Sequence, residues 1–192
     1  MRLNRLPILA ALCCAAAAPP IAFTPTSPSF APAADQYRGL WDGEGPAMIA
    51  AMERVTGLSF PPGRIDVIVS EGRPMTAYDG RTIRLRAGYS PAYKKATLVY
   101  ELGHCLALAL PRTGLDDHRL LYLFLYDVWT DLYGRDFADR MVAIERRIGP
   151  GYDSAWTWAL AMTREERQAR LKELRRQSTA SQSAASNSPK LR

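Results

Sequence analysis

Apolar positions recur along this chain at two periods, and the changes from one period to the other mark its elements. From Arg64 to Ser70, Ile65, Val67 and Val69 alternate with outward-facing residues, which predicts a half-buried strand. Thr82-Ile-Arg-Leu-Arg86 alternates in the same way. The pair Asp79-Gly80, set between Met75–Tyr78 and Arg81–Arg86, predicts a tight hairpin. Pro46 to Thr56 reads as a helix closed by Gly57.

Helical spacing returns after the strands. In Thr97–Ala107, Leu98, Val99, Leu102, Cys105 and Leu106 leave little of the surface polar, so the segment is a central, buried helix. Asp117–Tyr133 predicts a second long apolar helix stopped by Gly134, and Asp136–Ile148 a third before Gly149-Pro-Gly151. Thr163-Arg-Glu-Glu166 is a capping box that opens the last helix. The aromatics Tyr122, Tyr126, Trp129, Trp156 and Trp158 fall at helical spacings and are expected in the core. The sum is one α+β domain over residues 35–176, with a short antiparallel sheet and added C-terminal helices, large enough for a single core.

The two ends differ from this middle. Arg2 and Arg5 precede an apolar run from Leu6 to Ala18, and Pro20-Ile-Ala22 or Ala31-Pro-Ala33 offers a small-residue cleavage site, which is the pattern of an export signal. The run is too short to span a bilayer. A lipid-anchor reading of Cys13 or Cys14 is disfavoured because Leu12 and Cys13 stand where a small residue is required. Residues 1–34 are therefore read as signal and Pro/Ser/Ala linker, and Gln177–Arg192, rich in Ser and Ala, as a disordered tail. This predicts a periplasmic or secreted protein with no membrane span after cleavage. The mature chain would keep one cysteine, Cys105, and so no internal disulfide.

Within the central helix, two polar residues stand out. Glu101 and His104 sit among apolar neighbours, and burying a carboxylate and an imidazole is costly without partners, so a polar or metallic group should face them. Gly103 between them costs roughly 1 kcal/mol against Ala in mid-helix and predicts a close approach of another element. Tyr100-Glu101-Leu102-Gly103-His104 differs at one position from His-Glu-x-x-His, in which two imidazoles at i and i+4 hold one zinc ion and the Glu deprotonates its bound water.

Through Leu98-Val-Tyr-Glu-Leu-Gly-His104 the chain resembles the zincin metallopeptidases, over about Arg64 to Gly134. The resemblance implies a minimal zincin core of helix, short antiparallel sheet, motif helix and backing helix. It also implies that Glu101 is the catalytic base, that His104 is a zinc ligand, and that Tyr100 occupies the position of the first ligand. The third ligand has two placements. His118, fourteen residues after His104, matches the spacing of SprT-like peptidases; Asp127, in Asp127-Val-Trp-Thr-Asp131, resembles the Glu-x-x-x-Asp element of gluzincins. Nine helical residues at about 100° each put these two on opposite faces, so only one can serve. His118 is favoured, imidazole being the commoner ligand.

Tyrosine is a poor substitute for histidine here. Its phenol has a reference pKa near ~10, and its oxygen lies farther from the helix than an imidazole nitrogen does. The resemblance thus implies a degenerate site with zinc bound weakly or not at all. That leaves two functions: a catalytically silent or impaired relative that keeps a cleft for a peptide or cell-envelope protein, or an active zinc-dependent peptidase with an unconventional ligand set. Glu101 could alternatively be salt-bridged to Arg84 or Arg86. Cys105 points away from His104 and is expected to be an inert buried thiol.

Charge adds little to this. The net charge of +6 is carried largely by the ends, where Arg2, Arg5, Lys190 and Arg192 meet no acidic residue, and residues 35–176 keep a net of only +2. No nucleic-acid-binding stripe is expected. The run Arg164–Arg176 is interleaved with Glu165, Glu166 and Glu173, as a solvated helix face is.

Overall fold

A computed structural model describes residues 18–108, 110 and 114–186, with side chains to residue 177. Among these residues the fold is mixed α+β, with a small open sheet of four strands and six α-helices. The strands are β1 (Ile21–Pro25), β2 (Ile65–Ser70), β3 (Met75–Thr76) and β4 (Thr82–Arg86), and the helices α1 (Ala31–Thr56), α2 (Pro91–Ala107), α3 (Asp117–Tyr133), α4 (Arg135–Glu145), α5 (Pro150–Leu160) and α6 (Arg164–Ser186). Among the described residues no helix is long and apolar enough to cross a membrane.

The sheet is mixed rather than antiparallel. Its order is β1-β2-β4-β3, with β1 and β4 both parallel to β2 and only β3 antiparallel, to β4. The hairpin at Asp79-Gly80 forms as expected: the Asp79 carboxylate accepts from the amides of Arg81 and Thr82, and Gly80 takes a positive φ of 65°. The hairpin fixes the relation of β3 to β4 but not that of either to β2. Ile83 and Leu85 are fully buried, so β4 lies inside the sheet, while the short β3, with Met75 exposed, takes the edge.

The segment expected as signal end and linker holds structure. Ile21–Pro25 pairs in register with Ile65–Val69, the amide of Ile65 also donates to the Pro20 carbonyl at 3.0 Å, and Phe23 is buried against Tyr37. Both sequence-predicted cleavage sites therefore fall inside elements, Ala22 in β1 and Ala33 in α1. Helix α1 begins fifteen residues before Pro46 and runs through it. Proline forfeits one backbone hydrogen bond there, but the preceding turns bury Tyr37 and Trp41, and Gly45 leaves room for the Trp41 ring, which a Cβ would meet at 2.6 Å. At the other end α6 continues to Ser186, through much of the predicted tail; residues 187–192 lie outside the described residues.

Helices α2 and α3 pack together at the centre. Asp116 caps α3 by accepting from the Arg119 amide at 2.8 Å, and a Cβ on Gly103 would lie 2.6 Å from Leu121 Cδ1, so glycine is what lets the helices approach. The capping box also forms, with Thr163 and Glu166 exchanging hydrogen bonds of 2.7 and 3.2 Å. Arg167, however, is not part of a solvated face. It is 4% exposed and bound to Asp127, which joins α6 to α3.

Candidate functional site

Tyr100, Glu101, His104 and His118 line one cleft of about 990 Å³, bounded by residues 73–78, the end of α2, the start of α3 and Tyr152 of α5. The helical spacing of α2 presents Tyr100, Glu101 and His104 to it, and the cap at Asp116 starts α3 so that His118 sits in its first turn. The ring centres of His104 and His118 are 6.0 Å apart, and that of Tyr100 is 5.1 Å from His104. Tyr152 packs on His118 at 4.3 Å.

Asp127 is not in this cleft. Its two oxygens take Nη2 and Nε of Arg167 at 2.6 and 3.2 Å, on the face of α3 opposite His118. The gluzincin-like placement of the third ligand is thereby excluded: both oxygens of this buried carboxylate are already committed to a guanidinium. Nor is Glu101 salt-bridged to Arg84 or Arg86. Glu101 Oε2 accepts from the Thr76 hydroxyl at 2.7 Å, and Arg86 pairs with Glu71.

Burial governs the electrostatics. It raises Glu101 to about 7, against which the Thr76 hydrogen bond works only in part, and it lowers His104 to about 4, with the neighbouring His118 adding to the effect. His118 is lowered too, chiefly by burial. Tyr100, 8% exposed, is driven far above the ordinary phenol range by burial, and its hydroxyl has no well-formed hydrogen bond among the described residues, although that of Tyr122 lies near enough to influence it. Cys105 is 1% exposed with its thiol pushed up to about 12 by burial, an inert position.

The donors that face one another here are two imidazoles and a phenol. Two imidazoles on one tetrahedral zinc place their ring centres about 5 Å apart, so His104 and His118 at 6.0 Å come near that arrangement. The place of a third donor is taken by a phenol that stays protonated. Among the described residues no three His, Cys, Asp or Glu side chains are grouped to hold a metal ion. What the cleft offers instead is neutral imidazoles, a phenol donor and a carboxyl that titrates near neutral pH.

A second carboxyl stands behind the cleft. Glu145, at the end of α4, accepts from Tyr93 and Tyr122 hydroxyls at 3.2 and 3.5 Å, and burial raises it to about 7. Folded protein then holds a proton that the unfolded chain has lost, so stability should fall as pH climbs from about 4.5 to about 7. Glu145→Gln removes that loss. The variant's advantage over wild type should grow by about 1.4 kcal/mol per pH unit across the window, read as urea midpoints at several pH values. A pH-independent difference would refute the raised carboxyl.

The sequence did not point to Arg73, Thr76 or Tyr152, all of which line the cleft; Arg84, considered there only as a salt-bridge partner of Glu101, lines it too. Thr76 and Arg84 belong to the hairpin, and only its placement against α2 brings them there. Tyr152 comes from a helix whose docking no local pattern announces. No protein-family model matches the chain, and no curated protein or solved structure matches it.

Proposed function

We propose that the protein is an exported, zincin-like protein whose peptidase centre is degenerate and catalytically silent or impaired, and whose cleft holds a peptide or a segment of a cell-envelope protein. The reading rests on one juxtaposition. Glu101, His104 and His118 meet in a single cleft, as the zincin resemblance implies, while the position of the first ligand is filled by the buried, neutral phenol of Tyr100. The edge strand β3 borders this cleft and is paired in the sheet on one side only, to β4. An exposed strand edge beside a cleft suits an extended chain, which can add to it through main-chain hydrogen bonds.

The second reading, a live zinc peptidase with an unconventional ligand set, is favoured by one observation. Glu101 at about 7 has the proton affinity of a general base working near neutral pH. Metal analysis of the purified protein after dialysis against zinc separates the two. Little retained zinc supports the silent cleft, and near-stoichiometric zinc supports the enzyme.

Export is proposed from Arg2, Arg5 and the apolar run Leu6–Ala18. Because β1 begins at Ile21 and pairs along its length with β2, cleavage after Ala22 or Ala33 would strip an ordered strand and uncover Phe23 or its partner Tyr37. The mature N-terminus is therefore expected at or before Pro20. N-terminal sequencing of exported protein checks this, and a start at Phe23 or Ala34 would contradict it.

A further inference from the structure

Residues 73–78 form one continuous wall of the cleft: Arg73, Pro74, Met75, Thr76, Ala77 and Tyr78 all line it. Two features of that wall are unexplained by the fold. The first is apolar exposure. Met75 is 46%, Tyr78 96% and Leu108, across the cleft, 48% exposed, and these are three of the four exposed large hydrophobic residues among those described. Exposed apolar side chains scattered singly are ordinary, but their collection around one cleft marks a surface that is covered in use.

The second feature is charge. Arg73 and Arg84 line the same wall, and among the described residues neither is ion-paired with a carboxylate. The Arg84 side chain lies over Gly72, the residue before Arg73 in the chain, where a Cβ would meet its Cδ at 3.1 Å and its Nη1 at 3.7 Å. Elsewhere on the hairpin the cations are engaged, Arg86 with Glu71 and Arg81 with the Pro62 carbonyl. Arg73 instead donates through Nη2 to the hydroxyl of Tyr152 at 2.6 Å. A guanidinium presents several donors in a planar fork suited to a carboxylate, and one phenol oxygen uses a single donor of that fork.

We infer that the occupant of this cleft is an extended peptide segment carrying an acidic side chain, whose carboxylate is taken by Arg73 and Arg84 while flanking apolar side chains cover Met75 and Leu108. This rests on the peptide-cleft reading above and adds its specificity. The carboxylate would displace Tyr152 as the partner of Arg73, opening the bridge between the 73–78 wall and α5.

The test uses purified full chain and a randomised decapeptide library displayed between two fixed flanks, so that every available carboxylate belongs to a side chain. Selection should enrich peptides with Asp or Glu at one position next to apolar residues. In fluorescence anisotropy, replacing that residue by Asn or Gln in a selected peptide should weaken binding at least tenfold. Arg73→Gln and Arg84→Gln, both at exposed positions, should abolish the preference, whereas Tyr152→Phe should leave it intact. Enrichment with no acidic position, or equal binding by the acid and amide peptides, would overturn the inference while leaving the peptide cleft standing. No enrichment at all would overturn both.

Discussion

Asp127→Ala is expected to destabilise the protein by about 3–5 kcal/mol, a large share of the roughly 5–15 kcal/mol that holds a domain folded. The side chains of Asp127 and Arg167 are 3% and 5% exposed. Their contact is two-pronged, and Arg167 Nη1 further donates to the Met162 carbonyl at 2.6 Å, with the guanidinium over the Tyr126 ring. Removing the carboxylate leaves a buried cation with nothing to neutralise it, and that loss sets the cost. The pair itself contributes much less than its breaking would suggest, since both ions were taken out of water to form it. Replacing both partners, as Asp127→Leu with Arg167→Met, should therefore recover most of the lost stability. Urea midpoints of the single and double variants test this. A single-variant loss under about 1 kcal/mol would mean that water reaches the pair.

The Asp127–Arg167 pair also shows why part of the fold was legible in the sequence and part was not. Local rules held where the cause is local. The Asp79-Gly80 turn, the capping box at Thr163 and the close approach at Gly103 each depend on a few adjacent residues, or on the mere presence of a neighbour. Arg167 lies within a run whose alternating charges describe a solvated face, and only the docking of α6 onto α3, forty residues away in the chain, buries it. Sheet direction failed for a related reason. Alternation in β2 and β4 says that one face of each is buried and is silent on whether the strands run parallel.

Residues 21–34 were misread through composition. Ile21-Ala-Phe-Thr-Pro25 looks like the close of an export signal, but its hydrophobic character forms a strand that buries Phe23. The Pro, Ser and Ala of Thr24–Ala34 suggested a linker; burial of Tyr37 and Trp41 against the core overrides that propensity and starts α1 at Ala31. Of the candidate site, Tyr100, Glu101, His104 and His118 could be collected from spacing because helical periodicity and a short interhelical connection limit where they can point. Arg73 and Thr76 of the opposite wall could not, since they acquire their meaning only from where the hairpin docks.

Tyr100→His should convert the cleft from one that holds zinc weakly or not at all to one that holds it tightly. The change places imidazoles at 100 and 104 on one face of α2, beside His118 of α3, whose ring is 6.0 Å from that of His104. Three imidazoles and an open position for water form a complete zinc coordination set. The variant also removes a buried hydroxyl that lacks a well-formed hydrogen bond, so its fold should tolerate the smaller ring. Both existing histidines are already disposed to remain neutral, and a neutral imidazole is the form that binds metal. A ligand that binds only the folded state stabilises it by roughly 2.7 kcal/mol at a hundredfold excess over its dissociation constant. The melting temperature of the variant should accordingly climb with added zinc while that of wild type moves little, and calorimetry should find one zinc per variant chain. His118→Ala in the Tyr100→His background should abolish the gain. Equal zinc affinity in wild type and variant would mean that Tyr100 already acts as a ligand or that metal binds elsewhere, and the degenerate-site reading would fall.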